Sequence, residues 1–397
     1  MILDKLFRLM ADKQASDLFI SAGVPIHIKI QGNTTPINQQ SMTPDMIEQI
    51  ASELMSPEQS ESFGHGKEMN LSLIIPDTGN FRINLFRQRS SIAIVIRYIS
   101  AEIPPIESLS LPHTLSELVM EKRGLILVVG STGSGKSTTL AAMLDYRNAN
   151  SSGHILTIED PIEFLFKPKK SVVNQREIGI DTLGWEHALK NAMRQAPDCI
   201  LIGEIRDKET MQAAIAYAQT GHLCLGTLHA NNSYHALTRI INFFPLENRS
   251  SLYSDLSVSL KAIISQRLVK KQDGKRTPAV EVLLNTRHIQ ELIERGEVAS
   301  IKEAMEQSLA PGSQTFEQDL FRLYRDGTIA LDEALANSDS PTNLSWLINN
   351  AQTPDTSDRG APEATGTSKP PEAGDNSAFF KDFALSLQAG ENSTTSR

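Results

Sequence analysis

LILVVGSTGSGKSTTL, residues 125–140, decides how the rest of the chain is read. An apolar strand-like run is followed by GSTGSGKS (130–137), which fits the phosphate-loop pattern G-x-x-x-x-G-K-[ST], and then by the helical pattern STTLAAMLDYRN. At average residue usage the four fixed positions arise by chance in a chain of this length on the order of one time in a hundred, and the flanking strand and helix are the context the motif requires. Gly130, Gly133 and Gly135 let backbone N–H groups turn toward an anion, with Ser131, Thr132 and Ser134 between them, and the helix N-terminus adds its dipole. Lys136 is expected on the β- and γ-phosphates, the Ser137 hydroxyl on Mg²⁺, and Thr138 beside the same phosphates. The ligands so implied are ATP and Mg²⁺.

Outward from this loop, residues 108–345 repeat the order strand, loop, helix, which predicts an α/β fold on a mainly parallel sheet. The expected strands are 125–129, 154–158, 199–202 and 222–228, whose continuous apolar runs suit burial on both faces. In such sheets ligands lie beyond the carboxyl ends of the strands. Those ends carry the phosphate loop, EDPIE with Glu159, Asp160 and Glu163, then Gly203–Glu204, and His229. Glu163 and Glu204 could divide two tasks, polarising water and holding the metal through its water shell, in either assignment. Glu204 could instead pair with Arg206 at a strand end. His229 is expected to touch phosphate because of its place, whereas His222 stands at the opposite end of its strand. The helix after Glu204 has Asp207 as its N-cap candidate and Gly221 as its stop.

Residues 1–100 read as a small mixed domain, with a helix at the start, short strands, and a second helix capped by Thr43 with Pro44 at its first position. A linker at 101–107 carries Pro104–Pro105. Residues 346–397 are rich in Pro, Gly, Ser, Thr and acids and predict a disordered tail, in which FFKDFALSL (379–387) is a candidate docking segment. The chain of 397 residues has a net charge of -9 and only two cysteines, Cys199 and Cys224. That balance speaks against nucleic acid as a partner, and the cysteines against a disulfide framework or a four-cysteine zinc site. The N-terminus is unlike a secretory signal and no 18-residue apolar run occurs, so a cytoplasmic protein is expected.

Together these motifs resemble the secretion and pilus motor ATPases. LKNAMRQAPDCILIGEIRD is similar to their signature, TIEDPIEF to their aspartate box and GHLCLGTLHANN to their histidine box. ASDLFISAGVPIHIKIQG resembles the PAS-like N-terminal domain of the type IV pilus retraction ATPases, the PilT and PilU proteins, and the C-terminal stretch 312–344 is more similar to the PilU branch. The resemblance implies a RecA-like core and a homo-hexameric ring docked at the inner-membrane base of the pilus machine, against its platform protein. It implies ATP hydrolysis coupled to retraction and twitching motility. It makes Glu163 the general base and Glu204 the Walker B residue, with Gly203 where other phosphate-loop enzymes carry an aspartate. It further implies that arginines of the N-terminal domain reach the nucleotide. Arg82 and Arg97 match best, with Arg87 a third candidate, and a solvated strand face is the alternative. No cysteine occurs in QRLVKKQDGKRTPAVEVL, where the extension ATPases bind zinc, so no zinc is expected. HIQELIERG (288–296) lacks the Ala-Ile-Arg-Ala-Gly-like motif of PilT, which implies a protein that assists a PilT-like partner. Two other functions stay open: an accessory ring subunit acting mainly by binding such a motor, and a nucleic-acid strand motor.

Overall fold

The structure is a computed structural model and describes residues 2–30, 32–75, 78–99 and 102–351. Helix α1 (Ile2–Asp12) places Leu3, Leu6, Phe7 and Met10 on one buried face, the spacing of an amphipathic helix. Then come β1 (Asp17–Ile20), β2 (His27–Ile30), β3 (Asn33–Pro36), α2 (Pro44–Leu54), α3 (Pro57–Gly66), β4 (Glu68–Ile75), β5 (Gly79–Gln88) and β6 (Ser91–Ile99). These strands form an antiparallel sheet in the order β3-β2-β1-β6-β5-β4. Thr43 caps α2 as expected, its hydroxyl accepting the Met46 N–H at 3.3 Å.

Strict alternation divides this sheet's two faces. Phe81, Ile83 and Leu85 of β5 and Ile92, Ile94 and Ile96 of β6 pack under α1 and α2 in one buried cluster. Arg82 stands on the other side, opposite Arg97, which is opposite Asp17. Neither β3 nor α3 was expected from sequence. NTTP has no apolar alternation, and α3 buries only Phe63 and depends on a capping box between Ser56 and Gln59.

Past a 3₁₀ turn at Ile106–Leu109 lie α4 (Thr114–Val119), β7 (Gly124–Val129), α5 (Lys136–Asn150), β8 (Gly153–Glu159), β9 (Ser171–Glu177), α6 (Trp185–Ala192), β10 (Cys199–Ile202), α7 (Lys208–Gln219), β11 (Leu223–Leu228), α8 (Ser233–Asn242) and α9 (Arg249–Ser259). The long strands β12 (Leu260–Lys270) and β13 (Arg276–Leu284) follow, then α10 (Arg287–Glu294), α11 (Ile301–Glu306), α12 (Phe316–Arg325), α13 (Leu331–Ala336) and α14 (Pro341–Ala351). The second sheet has the order β13-β12-β7-β11-β10-β8-β9 and is parallel except where β13 meets β12. This is the α/β architecture expected, with β9, β12 and β13 in addition.

Why the strands here read as continuous apolar runs is visible in β7. Leu125, Leu127 and Val129 join the core under α6, α7, α8 and α9, whereas Ile126 and Val128 join the core under α4 and α5. Both faces are covered. The chain stays ordered past the expected tail boundary at 345, because Leu344 and Ile348 of α14 bury against Phe316, Leu320 and Val269. The rest of the expected tail, with the 379–387 segment, lies outside the described residues.

Candidate active site

The carboxyl ends of β7, β8, β10 and β11 surround one cavity of about 490 Å³. From β7 comes the phosphate loop. Gly133 and Gly135 adopt φ of +78° and +90°, backbone that side chains rarely tolerate, and α5 begins directly after them. Thr132, Gly133, Gly135, Lys136, Ser137 and Thr138 line the space. Gly130 and Ser131 do not line it but accept the Lys136 ammonium through their carbonyls, at 3.0 and 2.9 Å. Ser134 is buried and its hydroxyl has no hydrogen-bond partner.

Three other strand ends bring carboxylates and a histidine. Glu159, Asp160 and Glu163 come from β8, Glu204 from β10 and His229 from β11. The expectation about strand ends thus places Glu163, Glu204, Lys136, Ser137, Thr138 and His229 around a single cavity. His229 Nε2 stands 3.5 Å from Glu204 Oε1, while the Arg206 guanidinium lies over the Trp185 ring. Glu204 therefore faces the cavity and not its neighbour Arg206. A Cβ at Gly203 would come 3.1 Å from the Glu159 Cα, which shows why a residue without a side chain precedes Glu204: β8 and β10 close tightly there.

Burial lowers the pKa of Lys136, and the negative charges of Glu163 and then Glu204 oppose that shift. Its ammonium is thus desolvated, held by two carbonyls and within the field of both carboxylates. Glu159 is pushed up to about 7 by burial, against hydrogen bonds from Thr157 (2.6 Å) and Gln175 (3.3 Å). Burial also raises Glu177, whose Oε2 accepts the Ile162 N–H at 3.1 Å and so anchors the acidic loop. Sequence reading missed the anchoring part of Glu177, because β9, which ends on it, was not expected as a strand.

The cavity fits a nucleotide with its metal on the chemistry of its lining: left-handed glycines, a helix N-terminus, a lysine, and hydroxyl and carboxylate oxygens at Ser137, Glu204 and Glu163, whereas Ser134 does not line it. Arg82 and Arg97 do not line it. Arg97 Nε donates to Asp17 at 2.9 Å, and Arg82 acts on Glu177. Arg87 lies over the Phe63 ring at 5.4 Å, a packing role. His222 Nδ1 lies 3.1 Å from the Thr220 hydroxyl and 3.2 Å from the Tyr217 carbonyl, just before β11 and at the opposite end of that strand from the cavity.

Comparison with known proteins shows which family the chain resembles along its length. The type II/IV secretion system protein family matches residues 1–335. The type IV pilus ATPase PilU of Pseudomonas aeruginosa is 47% identical over 349 residues, 88% of this chain and 91% of that protein. The type IV pilus retraction ATPase PilT of the same organism is 39% identical over 344 residues, 87% of this chain and 100% of that protein. Among solved structures, the pilus retraction motor PilT with bound ADP superimposes with a TM-score of 0.80 at 40% identity, covering 86% of this chain and 98% of that one.

Proposed function

Since the chain belongs to the type II/IV secretion system protein family, we propose that it works as a pilus-motor ATPase, coupling ATP hydrolysis to retraction of a type IV pilus and assisting a PilT-like partner. It is a P-loop ATPase. One observation carries the reading: Lys136, Ser137, Glu163, Glu204 and His229, from four strand ends, line a single cavity.

The loop N–H groups and the start of α5 hold the phosphates, and Lys136 exchanges the carbonyls of Gly130 and Ser131 for phosphate oxygens. Glu163 takes the proton of the water that attacks the γ-phosphorus; the bond to the β–γ bridging oxygen breaks and ADP leaves with its electron pair. Ser137 and Glu204 would hold Mg²⁺, which supplies charge neutralisation on the phosphates. His229, beside Glu204, contacts the transferred phosphoryl group.

The protein acts as a homo-hexamer of RecA-like cores with PAS-like N-terminal domains, at the cytoplasmic base of the pilus. Arg82 and Arg97, outside the cavity of their own chain, are supplied to the site of a neighbouring subunit. In support, the relatives PilU and PilT named above are type IV pilus ATPases. The test is ATP turnover of the purified protein beside Lys136→Ala, Glu163→Gln and Glu204→Gln, with and without a PilT-like protein. Turnover that all three substitutions abolish is the expected result. Turnover unchanged by any of them would refute the site.

A further inference from the structure

Strand β12 interrupts its own apolar pattern. Between Ile264 and Leu268 lie Ser265, Gln266 and Arg267, of which Ser265 is 0% and Gln266 3% exposed. A polar group taken out of water is costly unless its hydrogen bonds are replaced, so the partners of these side chains tell what the strand is for. Successive residues of a strand face opposite ways. On one side, Ser265 Oγ donates to Glu281 Oε1 at 2.8 Å, and that oxygen also accepts the Ser233 N–H at the start of α8 at 2.8 Å. These bonds are structural anchors.

On the other side Gln266 reaches the phosphate loop. Its Nε2 donates to the Ser134 carbonyl at 2.7 Å, and its Oε1 accepts the Thr139 hydroxyl at 2.7 Å. One amide therefore ties the loop to the first turn of α5, with both of its ends satisfied. A Cβ at Gly135 would stand 2.7 Å from the same Nε2, so the loop backbone lies directly against the amide. In a trans peptide the carbonyl of one residue and the N–H of the next point in opposite directions. With the Ser134 carbonyl turned to β12, the Gly135 N–H points away from β12, and Gly135 lines the cavity.

We propose that Gln266 is a positioning residue of the phosphate loop: by holding the Ser134 carbonyl it aims the Gly135 N–H at the phosphates before nucleotide arrives, and so sets nucleotide affinity. The inference rests on the ATP reading of this site. Without the amide the loop samples peptide orientations that cannot bind, and apparent affinity falls with the competent fraction.

The experiment measures ADP binding by calorimetry, with KM and kcat for ATP, on the full chain and on Gln266→Met, Gln266→Asn and Glu317→Ala. Gln266→Met keeps the volume and removes both hydrogen bonds. Gln266→Asn keeps the amide on a stem too short to reach both partners. Each is expected to weaken ADP binding and raise KM about tenfold while kcat changes less than about threefold. Glu317 accepts the Ser340 N–H at 2.7 Å near α14, away from the cavity, so Glu317→Ala lowers Tm and leaves ADP affinity in place. ADP affinity within about twofold of wild type in Gln266→Met, or in Gln266→Asn should the first variant not fold, overturns the proposal. Equal weakening in Gln266→Met and Glu317→Ala at equal loss of Tm also overturns it, since stability alone would then account for the effect. A wild-type chain that binds no ADP refutes the site reading itself, whereas wild-type binding beside an unaffected Gln266→Met refutes this inference alone.

Discussion

The two sheets of this chain solve burial differently, and the difference says where each can act. The second sheet is covered on both faces, as the split of β7 between two cores shows. Its inner strands β7, β8, β10 and β11 come to the surface at their carboxyl ends, and the cavity is built from those ends. The first sheet buries one face against α1 and α2 and leaves the other to Arg82, Arg97 and Asp17. Its chemistry lies across a surface, suited to meeting another molecule, while the chemistry of the second sheet converges on a point.

The strongest way to break this contrast is to remove charge from each sheet. Lys136→Ala should cost at least about 10³-fold in ATP turnover, measured by phosphate release. Under the proposed ring, in which Arg82 serves a neighbouring subunit, Arg82→Ala should lower turnover by about 10³-fold although it lies outside the cavity of its own chain. An Arg82→Ala protein with wild-type turnover would make that sheet face a solvated surface and nothing more.

A smaller effect tests the burial half of the comparison. Leu127 is fully buried in the second sheet, and Leu127→Ala should cost about 2–5 kcal/mol in chemical denaturation. Ile74, 63% exposed on the edge strand β4, should lose less than about 0.5 kcal/mol on truncation to Ala. Similar costs at both positions would remove the distinction.

Glu159 sharpens the contrast through pH. Its folded pKa, about 7, lies above the ordinary 4.5, so the protonated form is the one the fold favours. The associated stability is complete below about pH 4.5 and is lost as pH rises through 7, a change on the order of 3 kcal/mol. Glu159→Gln should therefore be more stable than wild type at pH 8 and show no such gain at pH 4.5, read from denaturant midpoints. An equal difference at both pH values would remove burial of the charge as the cause. Smaller than the Glu159 effect, Arg87→Ala should cost at most about 1 kcal/mol, because it loses a ring contact.

Much of the site was legible because its signals are local. GSTGSGKS demands its own backbone conformation, and the apolar runs ending at Glu159, Glu204 and His229 mark strands whose last residues stand at a common edge. β12 and β13 were not legible as strands. They pair as an antiparallel hairpin on a parallel sheet, and the Ser265–Gln266–Arg267 interruption hides the apolar pattern of β12. Nor was the continuation of α14 past residue 345, which depends on Ile348 meeting Phe316 and Leu320 from helix α12.

By itself the sequence determined the phosphate loop, the α/β order and the residues at the strand ends, since each follows from φ/ψ preference or from periodicity within a few residues. Only the tertiary structure decided that Glu204 faces His229 and not Arg206, that Glu177 anchors the acidic loop, and that Gln266 closes the phosphate loop from 132 positions away. Those are contacts between segments distant in the chain, and a hydrogen bond between them exists only once the intervening core has brought its donor and acceptor within 3 Å or so of each other.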